Sequence, residues 1–418
     1  MKFYSTNNKD HLVGLRDAVI QGLAPDNGLY MPERISRMTD DFFRSLPQKS
    51  FSEISLAVAK NLVGDDLPPD ELRRIIDHTI QFDAPLVEIE EDVFALELFH
   101  GPTMAFKDFG ARFMSQLLGY FAGQQQKEVT ILVATSGDTG SAVANGFLDV
   151  PGTRVVVLYP SGKVSDIQER QFTTLGRNVT ALEIDGTFDD CQKLVKQAFL
   201  DPELKKRMFL TSANSINIAR LIPQSFYFFY AFSRVKDMQK PLVFSVPSGN
   251  FGNLTGGILA LRMGLPVKHF VASTNVNDIV PRYLRTRSFE PRASLATISN
   301  AMDVGNPSNF FRLLELFDNS YENMEACIKG YSFTDKETAT ALRSVLSDTG
   351  YLMDPHGAVA YQGLKKYRED YPAPASGVFL ETAHPGKFLE VVRDIVKDDS
   401  IALPNELERF LKGKKQAM

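Results

Sequence analysis

Val129-Thr130-Ile131-Leu132-Val133-Ala134-Thr135-Ser136-Gly137-Asp138-Thr139-Gly140 is the stretch on which the fold class turns. Its first six residues are apolar or β-branched without polar alternation, which is how a strand covered on both faces of a parallel sheet reads. The run passes into a turn rich in glycine and hydroxyls, then into a helical stretch carrying Ala142, Val143 and Phe147. The same arrangement recurs at Leu242-Val243-Phe244-Ser245-Val246, followed by Pro247-Ser248-Gly249-Asn250-Phe251-Gly252-Asn253 and another helical stretch. Such turns present backbone N–H groups and a helix N-terminus to an anion, and glycine lets the backbone approach closely. One alone would serve equally well as an ordinary cap. Two in one chain point to an anionic cofactor or substrate.

Working outward, further strands are expected at 154–159, 179–184 and 208–211 around the first turn, and at 268–273 and 378–381 around the second. They alternate with helical segments, which predicts an α/β protein with two doubly wound parallel-sheet domains. In such sheets ligands bind beyond the carboxyl ends of the strands, where both turns fall. The first 95 or so residues read as a mainly helical region, with 66–80 a proline-started amphipathic helix. The expected organisation is therefore 1–95 helical, 129–211 a small α/β domain, and 96–128 with 212–418 a large one.

Composition excludes more than it proves. The net charge is -5 and no basic block stands out, so nucleic acid is not an expected partner, and an anionic ligand must be held by a local cluster. The opening residues lack a signal-peptide pattern, and the aromatic run 225–232 is too short to cross a bilayer, so it reads as a buried helix. The two cysteines, Cys191 and Cys327, stand apart and suggest neither a disulfide framework nor a metal site. A cytoplasmic protein follows by elimination.

The remaining signal is His100-Gly101-Pro102-Thr103-Met104-Ala105-Phe106-Lys107-Asp108-Phe109-Gly110. Gly101-Pro102 breaks regular structure, and a helix begins near Lys107 with Phe113, Leu117 and Phe121 as its buried stripe. A lysine there meets the positive end of the helix dipole in apolar company, and both effects favour a neutral, nucleophilic amine. A solvated lysine followed by a capping aspartate satisfies the same local pattern.

The segment is similar to the cofactor-attachment motif of threonine synthases. The likeness extends over nearly the whole chain, through residues 21–30, 134–140, Asn214-Ser215-Ile216-Asn217-Ile218-Ala219-Arg220, 248–252 and Thr382-Ala383-His384-Pro385-Gly386-Lys387-Phe388. The resemblance implies a fold type II enzyme dependent on pyridoxal 5'-phosphate, which converts O-phospho-L-homoserine and water to L-threonine and phosphate. Lys107 would carry the cofactor as a Schiff base. Ser248, Gly249, Asn250, Phe251, Gly252 and Asn253 would cradle its phosphate, and Thr382 would face its pyridine nitrogen. Asp138 would lie near its 3'-oxygen, where many relatives of the wider class carry Asn.

The same resemblance implies that Thr135, Ser136 and Thr139 grip the substrate carboxylate. Ser161, Lys163, Ser165, Gln168, Asn214, Asn217 and Arg220 are candidates for the substrate phosphate. His100 would stand near the cofactor, while His384 and Asp303 receive no role. The closest rivals are a phospho-lyase giving 2-oxobutyrate from the same substrate, a dehydratase, and a non-enzymatic cofactor-binding relative. The expected assembly is a monomer or small homo-oligomer.

Overall fold

A computed structural model describes residues 1–125, 128–235, 237 and 239–418. The strand Val129–Ala134 is buried at all six positions and lies inside a four-stranded parallel sheet ordered Val179–Ile184, Thr153–Pro160, Val129–Ala134, Phe209–Ser212. Leu242–Pro247 is likewise buried throughout. It lies in a six-stranded sheet ordered Ile328–Ser332, Val267–Thr274, Leu242–Pro247, Ser376–Glu381, Val93–Glu97, Leu86–Glu90. Its pairs are parallel except the last, where Leu86–Glu90 runs antiparallel to Val93–Glu97. Helices cover both sheets, which is why their central strands could be written as uninterrupted apolar runs.

The helix Lys107–Gln125 buries Phe113, Leu117 and Phe121. It packs against the helices Pro69–Thr79, Asp138–Gly146 and Ile218–Leu221, so its first residue is held where the two α/β units meet. Full burial of such side chains is worth roughly 2 kcal/mol each. The aromatic run forms the helix Phe226–Arg234, buried from Phe226 through Ser233.

The N-terminal region is mainly helical, as expected, and it also holds a three-stranded antiparallel sheet, Lys2–Ser5 between Asn8–Gly14 and Tyr30–Pro32. Two of the expected domain bounds differ from the sheet pairing. A boundary at residue 95 would cut through the hairpin of Leu86–Glu90 and Val93–Glu97, both of which belong to the large sheet. The chain's end is not part of the large unit either. Met418 N–H donates to Ala181 O (3.0 Å), Glu183 N–H donates to Met418 O (2.9 Å) and Gln416 N–H donates to Thr173 O (2.7 Å). The last residues thus return to the edge of the small sheet. Among the described residues, no helix is long and apolar enough to cross a membrane.

Candidate active site

The segment before Lys107 is pinned to the end of strand Ser376–Glu381. Phe106 N–H donates to Thr382 O (2.9 Å), and His384 N–H donates to Met104 O (3.0 Å). Asp108 folds this segment back on itself, accepting from Thr103 N–H (2.9 Å) and Thr103 Oγ1 (2.7 Å). Gly101 is required there, since a Cβ would lie 2.5 Å from Asp108 Oδ2. These bonds fix Lys107 at the helix start with its side chain 17 % exposed, Nζ 3.4 Å from Asp138 Oδ2 and 5.3 Å above the Phe106 ring. Burial pulls the Lys107 ammonium below its ordinary range. Asp138 opposes that shift, and the nearby cations Lys387 and Arg220 add to it.

Asp138 begins the helix Asp138–Gly146 and is itself buried. Its Oδ1 receives Lys387 Nζ at 2.7 Å and Gln168 Nε2 at 2.8 Å. Burial alone would raise this carboxyl, but Lys387 and Lys107 more than offset it and hold Asp138 as a carboxylate. Lys387 sits in the same Thr382-to-Phe388 motif that resembles the family, yet nothing local in the sequence marks it as a buried partner of a residue so distant in the chain.

The turn before Asp138 is braced from within. Thr135 Oγ1 accepts from Gly137 N–H (2.9 Å) and Gly140 N–H (2.8 Å) and donates to Gly137 O (3.1 Å). The Thr135 hydroxyl therefore shapes the turn and is not free to grip a carboxylate, which leaves Ser136 and Thr139. The second turn differs. Phe251 adopts a left-handed backbone (φ 60°), and no side chain caps the helix Gly252–Arg262. Among the described residues, the backbone N–H groups of Gly249, Asn250 and Phe251 have no acceptor. A Cβ on Gly249 would lie 2.7 Å from Met302 Cα and 2.9 Å from Ala301 O, so the turn is tightly covered from one side.

Side chains around this turn hold it in place. Ser248 Oγ donates to Val246 O (2.9 Å). Asn250 Nδ2 donates to Ser215 Oγ (2.6 Å), and Asn250 Oδ1 accepts from Ser308 N–H (2.6 Å). Asn253 Oδ1 accepts from Tyr227 Oη (2.7 Å), leaving the buried Nδ2 without a partner. Behind them lies Arg312, which sequence reasoning missed. It donates to Asn309 Oδ1 (2.9 Å) and to the carbonyls of Ser215 (3.0 Å), Ile216 (2.7 Å) and Tyr30 (3.1 Å). Asn309 Nδ2 in turn donates to Asn250 O (3.0 Å). Burial lowers the Arg312 guanidinium to about 9, and no carboxylate pairs with it among the described residues. Thr382, at the strand end beside Lys107, is buried with its carbonyl engaged and its hydroxyl uncommitted.

The candidates for a second anion divide. Asn217 is fully buried, donating to Val19 O (2.9 Å) and Ser212 O (3.1 Å) and accepting from Ala219 N–H (3.0 Å). It is a helix cap that pins the N-terminal helix Leu15–Gln21, with no atom left for a ligand. Ser165 caps the helix Asp166–Thr173 through Gln168 N–H. Ser161 donates to Glu183 Oε1 (2.7 Å) at the surface, and Lys163 is exposed. Arg220 keeps its buried Nε unpaired and Asn214 its buried Oδ1. Arg220 packs against Gly110 of the Lys107 helix, and burial lowers its guanidinium to about 10.

Three histidines engage neighbouring protein groups. His100 Nε2 is 2.7 Å from Glu97 Oε2, half-exposed, and His384 Nδ1 accepts from Gly386 N–H (3.0 Å). His356 spans Asp354 Oδ1 (2.5 Å) and Ala301 N–H (3.2 Å), holding the loop that covers Gly249. Asp303 braces the same loop, accepting from Thr297 Oγ1 (2.7 Å) and Asn275 Nδ2 (2.9 Å).

Comparison with known proteins agrees with this geometry. Residues 80–382 match the family described as pyridoxal-phosphate dependent enzyme, and residues 2–80 match threonine synthase N terminus. The chain is 46 % identical over 408 residues to the threonine synthase of Escherichia coli strain K12, covering 97 % of this chain and 94 % of that protein. A crystal structure of threonine synthase from Escherichia coli superposes with a TM-score of 0.93 at 44 % identity, covering 100 % of this chain and 96 % of that one. The structure of pyridoxal-phosphate-bound threonine synthase from Brucella melitensis gives a TM-score of 0.93 at 36 % identity, with the same coverage.

Proposed function

The chain belongs to the threonine synthase family of pyridoxal-phosphate-dependent lyases, and on that premise we propose that Lys107 is the lysine that holds the cofactor while O-phospho-L-homoserine and water become L-threonine and phosphate. The observation that carries the reading is Lys107 itself: a nearly buried amine at a helix start, drawn toward its neutral form, beside an ionised Asp138.

The residues suit the cofactor at each of its polar ends. The unpaired N–H groups of Gly249, Asn250 and Phe251, at an uncapped helix N-terminus, fit a phosphate. The buried guanidinium of Arg312 behind them adds positive charge without a competing carboxylate. The Thr382 hydroxyl suits a neutral ring nitrogen, and the Lys107 amine suits an aldehyde. When bound, the cofactor supplies a conjugated ring able to take up negative charge from the substrate's α-carbon.

The protein's own groups do the rest. The conversion requires protons to leave the α- and β-carbons, phosphate to leave the γ-carbon, a proton to reach the γ-carbon, water to add at the β-carbon, and a proton to return to the α-carbon. Lys107 Nζ, once free, is the group placed to carry those protons, and an amine titrating below the usual lysine range can do so near neutrality. Ser136 and Thr139, with the open N–H groups of their turn, are assigned to the substrate carboxylate. Arg220 Nε is the unpaired donor assigned to the substrate phosphate region, where the guanidinium suits a bidentate anion contact; Asn214 could serve the same anion only through its Nδ2 donor. Gln168 and Ser165 support Asp138 and its helix; Ser161 and Lys163 would reach a ligand only if the small unit closed over it. We further assign the protein to the cytoplasm, with Cys191 and Cys327 as free thiols, and expect a monomer or small homo-oligomer.

Cofactor-loaded protein incubated with O-phospho-L-homoserine should release phosphate and threonine in equal amounts. Phosphate accompanied by 2-oxobutyrate would make it a phospho-lyase instead, and no phosphate release would overturn the substrate assignment.

A further inference from the structure

Lys387 is a fully buried lysine in the turn Pro385–Phe388. Its ammonium donates to Thr103 O (2.8 Å) and lies 2.7 Å from Asp138 Oδ1. The other oxygen of the same carboxylate is 3.4 Å from Lys107 Nζ. Two amines thus share one buried carboxylate, and the shorter contact belongs to Lys387. Gln168 Nε2 reinforces that side at 2.8 Å. The charged groups facing Lys107 are Asp138, Lys387 and Arg220; Asp108, next in the chain, is closed off by Thr103.

We infer that Lys387 is a positioning residue for this chemistry: it is the standing counter-ion of Asp138, and so releases Lys107 from that duty and leaves its amine free to react. The inference rests on Lys107 being the cofactor's lysine. An unbalanced buried carboxylate would demand a cation, and Lys107 is the other cation within reach. With Lys387 in place the Lys387–Asp138 pair is neutral, and a second ammonium beside it gains little from Asp138 while being repelled by Lys387. The amine can then add through its lone pair to the cofactor aldehyde, forming the C=N bond and releasing one water. The arrangement also bears on the identity of residue 138 as Asp and not Asn. An Asn at position 138 could donate a hydrogen bond to the cofactor, whereas an ionised Asp only accepts. The donors here are on the two lysines.

The signs follow from the charges. Removing the Lys387 charge deletes a repulsion on Lys107 and leaves Asp138 to Lys107 alone, and both changes favour the Lys107 ammonium. Removing the Asp138 charge does the opposite. The test is the rate at which full-length, cofactor-free protein captures pyridoxal 5'-phosphate, followed by absorbance from about pH 6 to about pH 10. Lys387→Met should move the midpoint of the rate profile up by about one unit or more, a tenfold slower capture near neutrality. Lys387→Arg should restore the profile, Asp138→Asn should move it down, and the double variant should fall back from the Lys387→Met value.

A slower capture with an unmoved profile in Lys387→Met would mean that Lys387 only props the fold, and would overturn the inference. So would an upward shift in Asp138→Asn, a measurement that stands even if Lys387→Met fails to fold. A Lys107→Ala control separates the two readings. Borohydride-stable capture that persists in it would sink the assignment of Lys107, whereas capture lost in Lys107→Ala but unshifted in Lys387→Met would sink only the role of Lys387.

Discussion

The turn at 135–140 holds a buried charge that the protein itself balances, while the N–H groups of Ser136, Asp138 and Thr139 stay open among the described residues; the turn at 248–253 has open N–H groups and no ionisable side chain of its own. In the first, the Thr135 hydroxyl takes two backbone N–H groups, and the one buried acid, Asp138, is balanced by Lys387 and approached by Lys107. In the second, among the described residues, three backbone N–H groups have no acceptor, and the buried Arg312 behind them donates to carbonyls and an amide oxygen, keeps its Nε unpaired and has no carboxylate partner. A closed charge set is suited to holding reactive groups in fixed protonation states. An open one is suited to receiving an anion, because the ligand completes bonds that the protein lacks. Both turns follow the same strand–turn–helix plan, so the division of labour comes from a few side chains and not from backbone topology.

The largest expected effect comes from breaking the charged side. Lys107→Ala should lower turnover by about a thousandfold or more and abolish borohydride-trapped cofactor. Because the phosphate cradle is untouched, equilibrium dialysis should still find pyridoxal 5'-phosphate bound without a covalent link. Loss of all cofactor binding would show that the open turn is not an independent site.

Breaking the open side at its support should next cost stability. Arg312→Met strands the carbonyls of Tyr30, Ser215 and Ile216 and unties the N-terminal sheet from the cradle. Such a loss should lower the unfolding free energy by about 3 kcal/mol in urea titrations of the cofactor-free protein. Gly249→Ala acts on the cradle alone. Its Cβ would press on the backbone at Met302, and the loop there is held by His356 and Asp303 and cannot easily retreat. Affinity for pyridoxal 5'-phosphate should fall about tenfold to a hundredfold, with little change for pyridoxal, which lacks the phosphate. An equal loss for both ligands would place the phosphate elsewhere.

The same contrast explains what could be read from the sequence. Central strands with long apolar runs announce themselves, and Val129–Ala134 has the expected ends. Edge strands do so less surely: Val179–Ile184 has its expected ends too, but others do not show. Ile328–Ser332 carries Lys329 and Gly330 and borders solvent, Leu86–Glu90 mixes acids with apolar residues, and Asn8–Gly14 is mostly exposed, so none has the apolar run that marks a central strand. In the site, Lys107 and both turns are local patterns and were legible. Lys387 and Arg312 were not, because their meaning lies in partners far along the chain: Asp138 for one, Tyr30 and Ser215 for the other. The trace they leave is a lone cation among apolar or small neighbours, Pro385, Gly386 and Phe388 around Lys387, and Leu313 beside Arg312. The Thr135 hydroxyl erred in the other direction. Its position suggested substrate contact, and only the bond geometry shows it spent on the turn.

That last point gives the smallest and most discriminating test. Thr135→Val keeps the shape of the side chain but removes the oxygen that serves Gly137 and Gly140, leaving two N–H groups unpaired in a buried turn; the cost should be about 2 kcal/mol. Thr135→Ser keeps the oxygen and loses only the methyl that packs over Gly140, where a Cβ would come within 2.5 Å of it, so it should cost about 1 kcal/mol or less. In both variants affinity for pyridoxal 5'-phosphate should stay within about twofold of the parent, since its phosphate is assigned to the other turn. If Thr135→Val instead lost cofactor as strongly as Gly249→Ala, the two turns would be one coupled site, and the separation between a closed charge set and an open anion cradle would fail.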